Sequence, residues 1–406
     1  MYFQFLLGCL LLSLIQASTF VHMTDIHYDP FYEVGAPASC AFGPLGMKCC
    51  RGNSVPLQPY RSALPSGDHM CDSPLNLINA TFREIARQNP DFVLWTGDTV
   101  GHHLIYQGYM KNMNTIKDLS AVVYGILTAE NGIPVYPLVG NHDTFPIDQF
   151  PGEPYTQDLT RHYLEAWAPF FPNDSDFNRT MLEGGYYSVP LKNGVRILAL
   201  NTLYWDPFNR VNHSPKTQEA WMKSVLNDAE AKGDTVWILG HVAPGASEAT
   251  QDYTDLMVNL LETYASTIRY LFYGHTHKDT FVLLGDHHVG WMPGSVLPDN
   301  HAVAFRTYTY DSPSMTLEDY TEFWAHLPSS SVEAFHFYKA YSAKDAFGLT
   351  SMEGPGWKDF WNRMRKDGDL FQRWYEFSFV GGPYVPSCQG DCRNNLLGSL
   401  YIRPKQ

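Results

Sequence analysis

The chain has 406 residues, of which 44% are hydrophobic and 15% aromatic, and its formal net charge at pH 7 is −14. This composition excludes a disordered or collagen-like chain, since no charge block or short repeat dominates it. The negative charge argues against a nucleic-acid-binding protein, which normally presents a basic surface. Small anionic substrates are not excluded, because bound metal ions reverse the local field.

The N-terminal segment, MYFQFLLGCLLLSLIQA, is apolar and uncharged. It predicts a signal peptide over residues 1–17 and therefore an exported protein; a buried first helix or an uncleaved anchor is the alternative. The polar residues 400–406 lack the hydrophobic tail of a lipid anchor, so we expect no membrane anchor. Secretion and lysosomal delivery begin with the same kind of segment, so the choice between them stays open.

Cysteines and sequons give a second indication of export. Loss of the signal peptide removes Cys9 and leaves an even set: Cys40, Cys49, Cys50, Cys71, Cys388 and Cys392. An even set in an exported chain indicates disulfides, although spacing does not decide the pairing, and zinc binding is the rival interpretation. Four N-x-S/T sequons predict glycosylation at Asn79, Asn173, Asn178 and Asn212.

Six short runs rich in β-branched and aromatic residues recur along the chain. They cover residues 20–24, 92–96, 135–139, 195–200, 236–239 and 270–273. Such runs predict buried strands, and helical patterns over 75–88 and 217–232 separate some of them. Strand–helix alternation predicts an α/β layered fold, whose ligands lie beyond the carboxyl ends of the strands. Five of the six runs are followed by an Asp, Asn or His that would lie at that edge as a candidate ligand.

After residue 311, no further predicted strand is followed by a candidate ligand. Large apolar residues then follow helical spacing: Trp357, Phe360, Trp361, Met364, Phe371, Trp374 and Tyr375. This pattern predicts a helical C-terminal subdomain over 311–406, after a strand-bearing domain over 18–310. A lipid-binding surface is the alternative interpretation.

The residues that follow the predicted strands are metal ligands by type. The candidates are Asp25, His27, Asp98, Asn141, His241, His275 and His277. Carboxylate oxygen and imidazole nitrogen suit Zn²⁺, Mn²⁺ or iron. Residues two apart in extended backbone share a face, so the pairs at 25/27 and 275/277 can converge. Seven ligands exceed the need of one zinc but fit two ions bridged by a shared carboxylate, for which Asp98 is the candidate.

The ordered series DIH, GD, GNHD, GH and GHTH resembles the signature of calcineurin-like metallophosphoesterases, over about residues 19–300. The cysteine-rich stretch 40–71, the phrase WTGDTVGHH and the late cysteine pair narrow the resemblance to the acid sphingomyelinase-like phosphodiesterases, over nearly the whole mature chain. The resemblance implies an α/β metallophosphoesterase fold in which helices sandwich the β-sheets.

The resemblance also implies roles for individual residues. It places Asp25, His27, Asp98 and His277 around one zinc ion, and Asp98, Asn141, His241 and His275 around the other. It places His102 and His142 near the scissile phosphate as acid and charge stabiliser, and leaves open whether His142 or His102 protonates the leaving group. The disulfides that it implies are Cys40–Cys49, Cys50–Cys71 and Cys388–Cys392.

From this resemblance we expect a secreted, dinuclear zinc phosphodiesterase in which a metal-bound hydroxide attacks phosphorus. A monomer is the default expectation. Asp25 follows the predicted cleavage site closely, which leaves no room for the saposin-type domain of acid sphingomyelinase. We therefore expect soluble substrates, such as ATP-like nucleotides and CDP-choline-like diesters. Sphingomyelin hydrolysis is the first alternative, and a non-catalytic secreted glycoprotein is the second.

Overall fold

The computed structural model describes residues 17–41, 49–59, 61–102, 108–151, 155–211, 215–327 and 335–403. The predicted signal peptide, apart from Ala17, lies outside the described residues. The strands are β1 (Ser18–Met23), β2 (Val93–Trp95), β3 (Val135–Pro137), β4 (Tyr187–Pro190), β5 (Val195–Ala199), β6 (Thr235–Leu239), β7 (Ile268–Phe272), β8 (Thr280–Leu284), β9 (His288–Met292), β10 (Val303–Asp311), β11 (Thr316–Ala325), β12 (Tyr338–Ser342) and β13 (Tyr401–Ile402).

The α-helices lie mainly between the strands and after them. They are α1 (Leu75–Arg87), α2 (Tyr109–Val123), α3 (Thr156–Trp167), α4 (Ser175–Gly184), α5 (Lys216–Lys232), α6 (Gln251–Thr263), α7 (Ala343–Phe347), α8 (Gly354–Lys366), α9 (Gly368–Ser378) and α10 (Asp391–Ser399). The predicted helices over 75–88 and 217–232 correspond to α1 and α5.

Within the described ranges the strands form two sheets. The first has the order β12-β11-β10-β1-β2-β3, and the second has the order β13-β8-β9-β7-β6-β5-β4. Strands β1, β2 and β3 are parallel neighbours, and so are β5, β6 and β7. The six predicted strands are therefore confirmed. They form the parallel half of the first sheet, which ends at the edge strand β3, and the parallel centre of the second sheet. Their carboxyl ends meet at one edge of the fold, where the candidate ligands lie.

Alternation along β1 shows how the sheets pack. Phe20 faces the second sheet, where its ring lies 5.4 Å from that of Trp237 and 5.7 Å from that of Phe272. Val21 and Met23 point to the opposite face and join a separate apolar cluster that includes residues of α1. A side-chain period of two thus buries both faces of the strand. The predicted α/β layered fold, with sheets covered by helices, is confirmed.

The C-terminal region contains the predicted helices. The seven apolar residues set out above at helical spacing are all at least nine-tenths buried in α8 and α9. Trp357 packs against Phe281 of β8, with 4.7 Å between ring centroids. These side chains therefore form core, and they do not provide the exposed apolar face that lipid binding needs.

Residues 316–342 add two strands to the first sheet before those helices begin. β10 pairs antiparallel with β1, β11 pairs with β10, and β12 pairs with β11. The division into domains at residue 311 stays a prediction.

Three disulfides join Cys40 to Cys49, Cys50 to Cys71 and Cys388 to Cys392. This is the pairing that the family resemblance implies. The first two lie in the excursion between β1 and α1, where they pack with Ala38 and Ala63 in a small cluster of their own.

The predicted glycosylation sites differ in exposure. Asn173 is exposed, Asn79 and Asn178 are partly exposed, and Asn212 lies outside the described residues. Glycosylation of all four stays a prediction.

Among the described helices, none combines the length and the apolar character needed to cross a bilayer.

Candidate metal centre

All seven candidate ligands come together at the carboxyl ends of the parallel strands. Five of them have positive φ, between 47° and 70°: Asp25, His27, Asp98, His275 and His277. This left-handed backbone is uncommon for residues with a Cβ atom and costs free energy at each position. Its concentration in five of seven candidate ligands indicates that the loops are shaped for the site and not for their own stability.

Two glycines allow these loops to approach one another. A Cβ atom at Gly140 would lie 2.1 Å from Oδ1 of Asp98, and one at Gly97 would lie 2.8 Å from Nδ1 of His241. Gly97 also has a φ of +94°. A larger residue at either position would therefore displace a candidate ligand.

The first group of ligands consists of Asp25, His27 and His277. His27 donates through Nδ1–H to the carbonyl of Val100 at 3.0 Å, which leaves its Nε2 lone pair directed into the site. That atom lies 3.1 Å from Nε2 of His277, which is in turn 3.5 Å from Oδ1 of Asp25. The three ligand atoms thus surround one small space.

The second group consists of Asp98, His241 and His275, with Asn141 beside them. His241 donates through Nδ1–H to the carbonyl of Thr96 at 2.7 Å, so its Nε2 faces inward. Oδ1 of Asn141 lies 2.9 Å from that atom and 3.1 Å from Nδ1 of His275. Two imidazole nitrogens and one amide oxygen therefore converge.

Asp98 lies between the two groups. Its Oδ2 is 3.4 Å from Nε2 of His27 and 3.3 Å from Nε2 of His241. Its Oδ1 accepts the backbone N–H of His142 at 2.9 Å, which fixes the carboxylate. One carboxylate oxygen thus faces both groups.

The carboxylates of the site shift the pKa values of two candidate histidine ligands. Burial by itself lowers the pKa of His241, but the charge of Asp98 and a hydrogen bond to it raise that pKa to about 9. Burial likewise opposes protonation of His277, yet the Asp25 carboxylate, whose Oδ1 lies 3.5 Å from Nε2 of His277, raises the pKa to about 10. Since metal ligands must be deprotonated, a bound cation replaces these protons as the positive charge beside the carboxylates.

Atoms of these residues that lack hydrogen-bond partners show that the site fits a divalent metal ion. Oδ1 of Asp25 is buried and has no hydrogen-bond partner among the described residues. Nε2 of His27, whose proton is on Nδ1, directs its lone pair into the same space, 3.1 Å from Nε2 of His277 and 3.9 Å from Oδ1 of Asp25. A cation bonded to these atoms satisfies all of them at once, and a carboxylate–imidazole donor set suits zinc.

His102 and His142 lie beside the first group. The ring of His102 stacks on that of His27 at 4.0 Å and meets the ring of His142 at 4.3 Å. Burial, then the charge of His102, lowers the pKa of His142 to about 3, and its Nδ1 has no partner among the described atoms. His142 is therefore neutral over the ordinary pH range.

Sequence reasoning missed two carboxylates of this site. Asp143 is buried and accepts the backbone N–H groups of Thr99, Val100 and Gly140, which ties the loop after β2 to the loop after β3. Asp72 accepts both the backbone N–H and the Nδ1–H of His102. Asp143 stands within GNHD, so its position was a usable signal, but nothing in the sequence around Asp72 indicates its contact.

A cavity of about 450 Å³ opens beside the metal centre. Its lining includes His277, Asp299, Phe379 and Tyr384. Among the described lining residues, Lys278 is the one lysine or arginine, and its Nζ lies 4.8 Å from the centroid of the Phe379 ring. The cavity falls in the size range of small-molecule sites.

Comparison with known proteins gives one matching family model, the calcineurin-like phosphoesterases, over residues 18–279. Sphingomyelin phosphodiesterase A of Dictyostelium discoideum is 27% identical over 94% of this chain and 66% of its own length. The chain thus spans slightly less than two thirds of that relative. Sphingomyelinase phosphodiesterase C of the same organism is 29% identical over 94% of this chain and 89% of its own length. A cyclic GMP-AMP phosphodiesterase of Rattus norvegicus is 25% identical over 92% of this chain and 87% of its own length.

Proposed function

The chain belongs to the calcineurin-like phosphoesterase family, and from that premise we propose that it is a dinuclear zinc phosphodiesterase acting on soluble phosphodiesters and nucleotides. The observation that carries this proposal is the position of Asp98, one of whose oxygens lies 3.4 Å and 3.3 Å from a histidine nitrogen of each ligand group. A carboxylate shared in this way is the usual bridge of a two-metal site.

Two zinc ions bound there would polarise the phosphoryl oxygens and lower the pKa of a water molecule. The chain's own residues then supply orientation and protons. The carbonyls of Val100 and Thr96 hold His27 and His241 as the tautomers whose Nε2 faces the site. His102, on the open side of the first group, is placed to give a proton to the leaving oxygen as the P–O bond breaks.

The substrate proposal rests on the cavity beside the metal centre. Lys278 follows the ligand His277 directly, is exposed, and brings a positive charge to that cavity. A second phosphate next to the scissile one, which ATP and CDP-choline carry and sphingomyelin lacks, would meet this charge. One relative named above acts, by its name, on a cyclic dinucleotide, which supports nucleotides as the substrate class.

A product-release assay tests the proposal. The zinc-loaded protein is offered ATP, CDP-choline and sphingomyelin in detergent at acid and neutral pH, and native mass spectrometry counts the bound metal ions. We expect two ions per chain and faster turnover of the nucleotides. Faster turnover of sphingomyelin would favour the alternative substrate, and no turnover of any diester would favour a non-catalytic glycoprotein.

Lys278→Met is expected to lower kcat/KM for ATP and CDP-choline about five- to tenfold, or about 1–1.4 kcal/mol, by removing the charge that meets the second phosphate. A nucleotide ester with a single phosphate is expected to lose much less. Initial rates on both substrate types measure the ratio.

Lys358→Met is the matched control, because Lys358 also lies over an aromatic ring, 4.5 Å from the centroid of Trp361, but does not line the cavity. Equal losses on both substrate types for Lys278→Met would remove the argument for nucleotide selection.

We also propose that the protein is secreted, a location that its three disulfides fit, since such bonds persist in oxidising compartments.

A further inference from the structure

Asp72 holds His102 by two hydrogen bonds. Its Oδ1 accepts Nδ1–H of the imidazole at 2.9 Å, and its Oδ2 accepts the backbone N–H of the same residue at 2.7 Å. The Asp72 side chain is fully buried, whereas that of His102 is 26% exposed. Because an ionised carboxylate only accepts, Nδ1 carries the proton of the neutral ring, and Nε2 is the atom that exchanges a proton with a substrate.

Arg51 connects Asp72 to the segment that follows β1. Its guanidinium is almost fully buried, with Nε 2.7 Å from Oδ2 of Asp29 and Nη2 3.4 Å from Oδ2 of Asp72. Asp29 lies two residues after the ligand His27. One buried arginine therefore joins the carboxylate that holds His102 to the backbone that carries a metal ligand.

The Cys50–Cys71 disulfide fastens this arrangement covalently. Arg51 and Asp72 are the residues immediately after its two cysteines, and both cysteines are fully buried. The backbone beside Asp72 is also paired with the metal-bearing segment: Ser73 N–H donates to the carbonyl of His27 at 2.9 Å, and its own carbonyl accepts the N–H of Asp29 at 3.0 Å. The position of Asp72 is therefore fixed relative to the metal centre.

We propose that Asp72 is a positioning residue for the general acid His102, and that the cysteine-rich excursion serves to hold it there. In the step itself, Nε2 of the His102 imidazolium gives its proton to the leaving oxygen, which keeps the electron pair of the broken P–O bond. A water oxygen supplies the electron pair of the new P–O bond, the proton that this water loses passes to solvent, and solvent protonates His102 again. Asp72 keeps Nδ1–H in place throughout. This inference rests on the proposed function and adds a role for a residue that touches no substrate.

The test uses the full-length zinc protein and two esters of one nucleotide monophosphate. The ethyl ester releases an alkoxide that needs a proton, and the p-nitrophenyl ester releases an anion that does not. Asp72→Asn is expected to lower kcat for the ethyl ester about 10- to 100-fold, with a much smaller loss on the nitrophenyl ester. In a His102→Gln background the same change is expected to have no further effect.

Asp68→Asn is the matched control. Asp68 lies in the same excursion and pairs with Arg61 at 3.1 Å, but it has no contact with His102. We expect it to keep the wild-type ratio between the two esters. Zinc content and Tm are measured for every variant, and rates are expressed per folded, zinc-loaded molecule.

A readout without turnover separates this inference from the proposed function. Diethyl pyrocarbonate labelling of His102, followed by peptide mass spectrometry, is expected to be faster in Asp72→Asn because the ring has lost its anchor. A labelling rate that Asp72→Asn leaves unchanged would overturn the positioning role. So would an equal loss of kcat on both esters that Asp72→Asn still causes when His102 is already replaced by Gln. If the wild-type protein cleaves neither ester, the proposed function fails and the labelling rate alone decides whether Asp72 holds the ring.

Discussion

Asp98→Asn is expected to abolish phosphodiester hydrolysis, with a loss of at least about 10³-fold in kcat/KM, or about 4 kcal/mol of transition-state stabilisation. Asparagine keeps the size of the side chain, and its amide oxygen can still accept the N–H of His142. Its NH₂ group, however, then faces Nε2 of His27 and Nε2 of His241, where the carboxylate oxygen lies at present. The variant therefore loses the one negative charge that both ligand groups share.

We expect the Asp98→Asn protein to hold at most one metal ion per chain, measured by native mass spectrometry and by elemental analysis after dialysis. Asp206→Asn is the control, because Asp206 is a buried carboxyl group that accepts the backbone N–H of Phe208 at 2.7 Å and belongs to neither ligand group. It should keep both ions and the wild-type rate. An Asp98→Asn protein with two ions and full activity would show that the bridge has been assigned to the wrong residue.

His102→Ala is expected to lower kcat for a nucleotide ethyl ester about 10²- to 10⁴-fold, which is the range for loss of a general acid. Both metal ions should remain, because His102 is not among the proposed ligands. The p-nitrophenyl ester should be affected far less, since its leaving group needs no proton. Rates on the two esters, with metal counts on the same samples, measure the effect.

His142→Ala separates the two histidines. With a pKa of about 3, His142 is neutral at the assay pH and has no imidazolium proton to give, so we expect it to stabilise charge on the phosphoryl group. Its removal should therefore lower the rates on both esters by a similar factor and leave the metal content unchanged. If His142→Ala shows the larger dependence on the leaving group, the two roles are exchanged.

Local signals in the sequence predicted the central strands and the candidate ligands. β-branched and aromatic runs indicate buried strands because both faces of such a strand are covered, and Phe20 and Val21 show this directly by joining two different apolar clusters. Asp and His placed just after such runs predict convergence, because the carboxyl ends of parallel strands meet at one edge. The clustering of these candidate ligands could be predicted from the sequence for this reason.

The C-terminal region was predicted only in part. The helical spacing of its large apolar residues indicated α8 and α9 correctly. The pairing of β11 and β12 with the first sheet depends on β10 returning beside β1, a contact between residues almost 300 positions apart in the printed sequence, as in the pair Ser18–Tyr310. Local propensity carries no information about such a contact.

The sequence by itself determined the strands, the ligand types and their order, because each depends on residues close together along the chain. The tertiary structure decided which partners those residues meet. Asp72 and His102 are 30 residues apart and are brought together by a disulfide and a buried arginine. Arg306, also buried, pairs with Asp279 and Glu322 from two other segments. Buried charges are stable only with such partners, and the partners are supplied by the folding of distant segments onto one another.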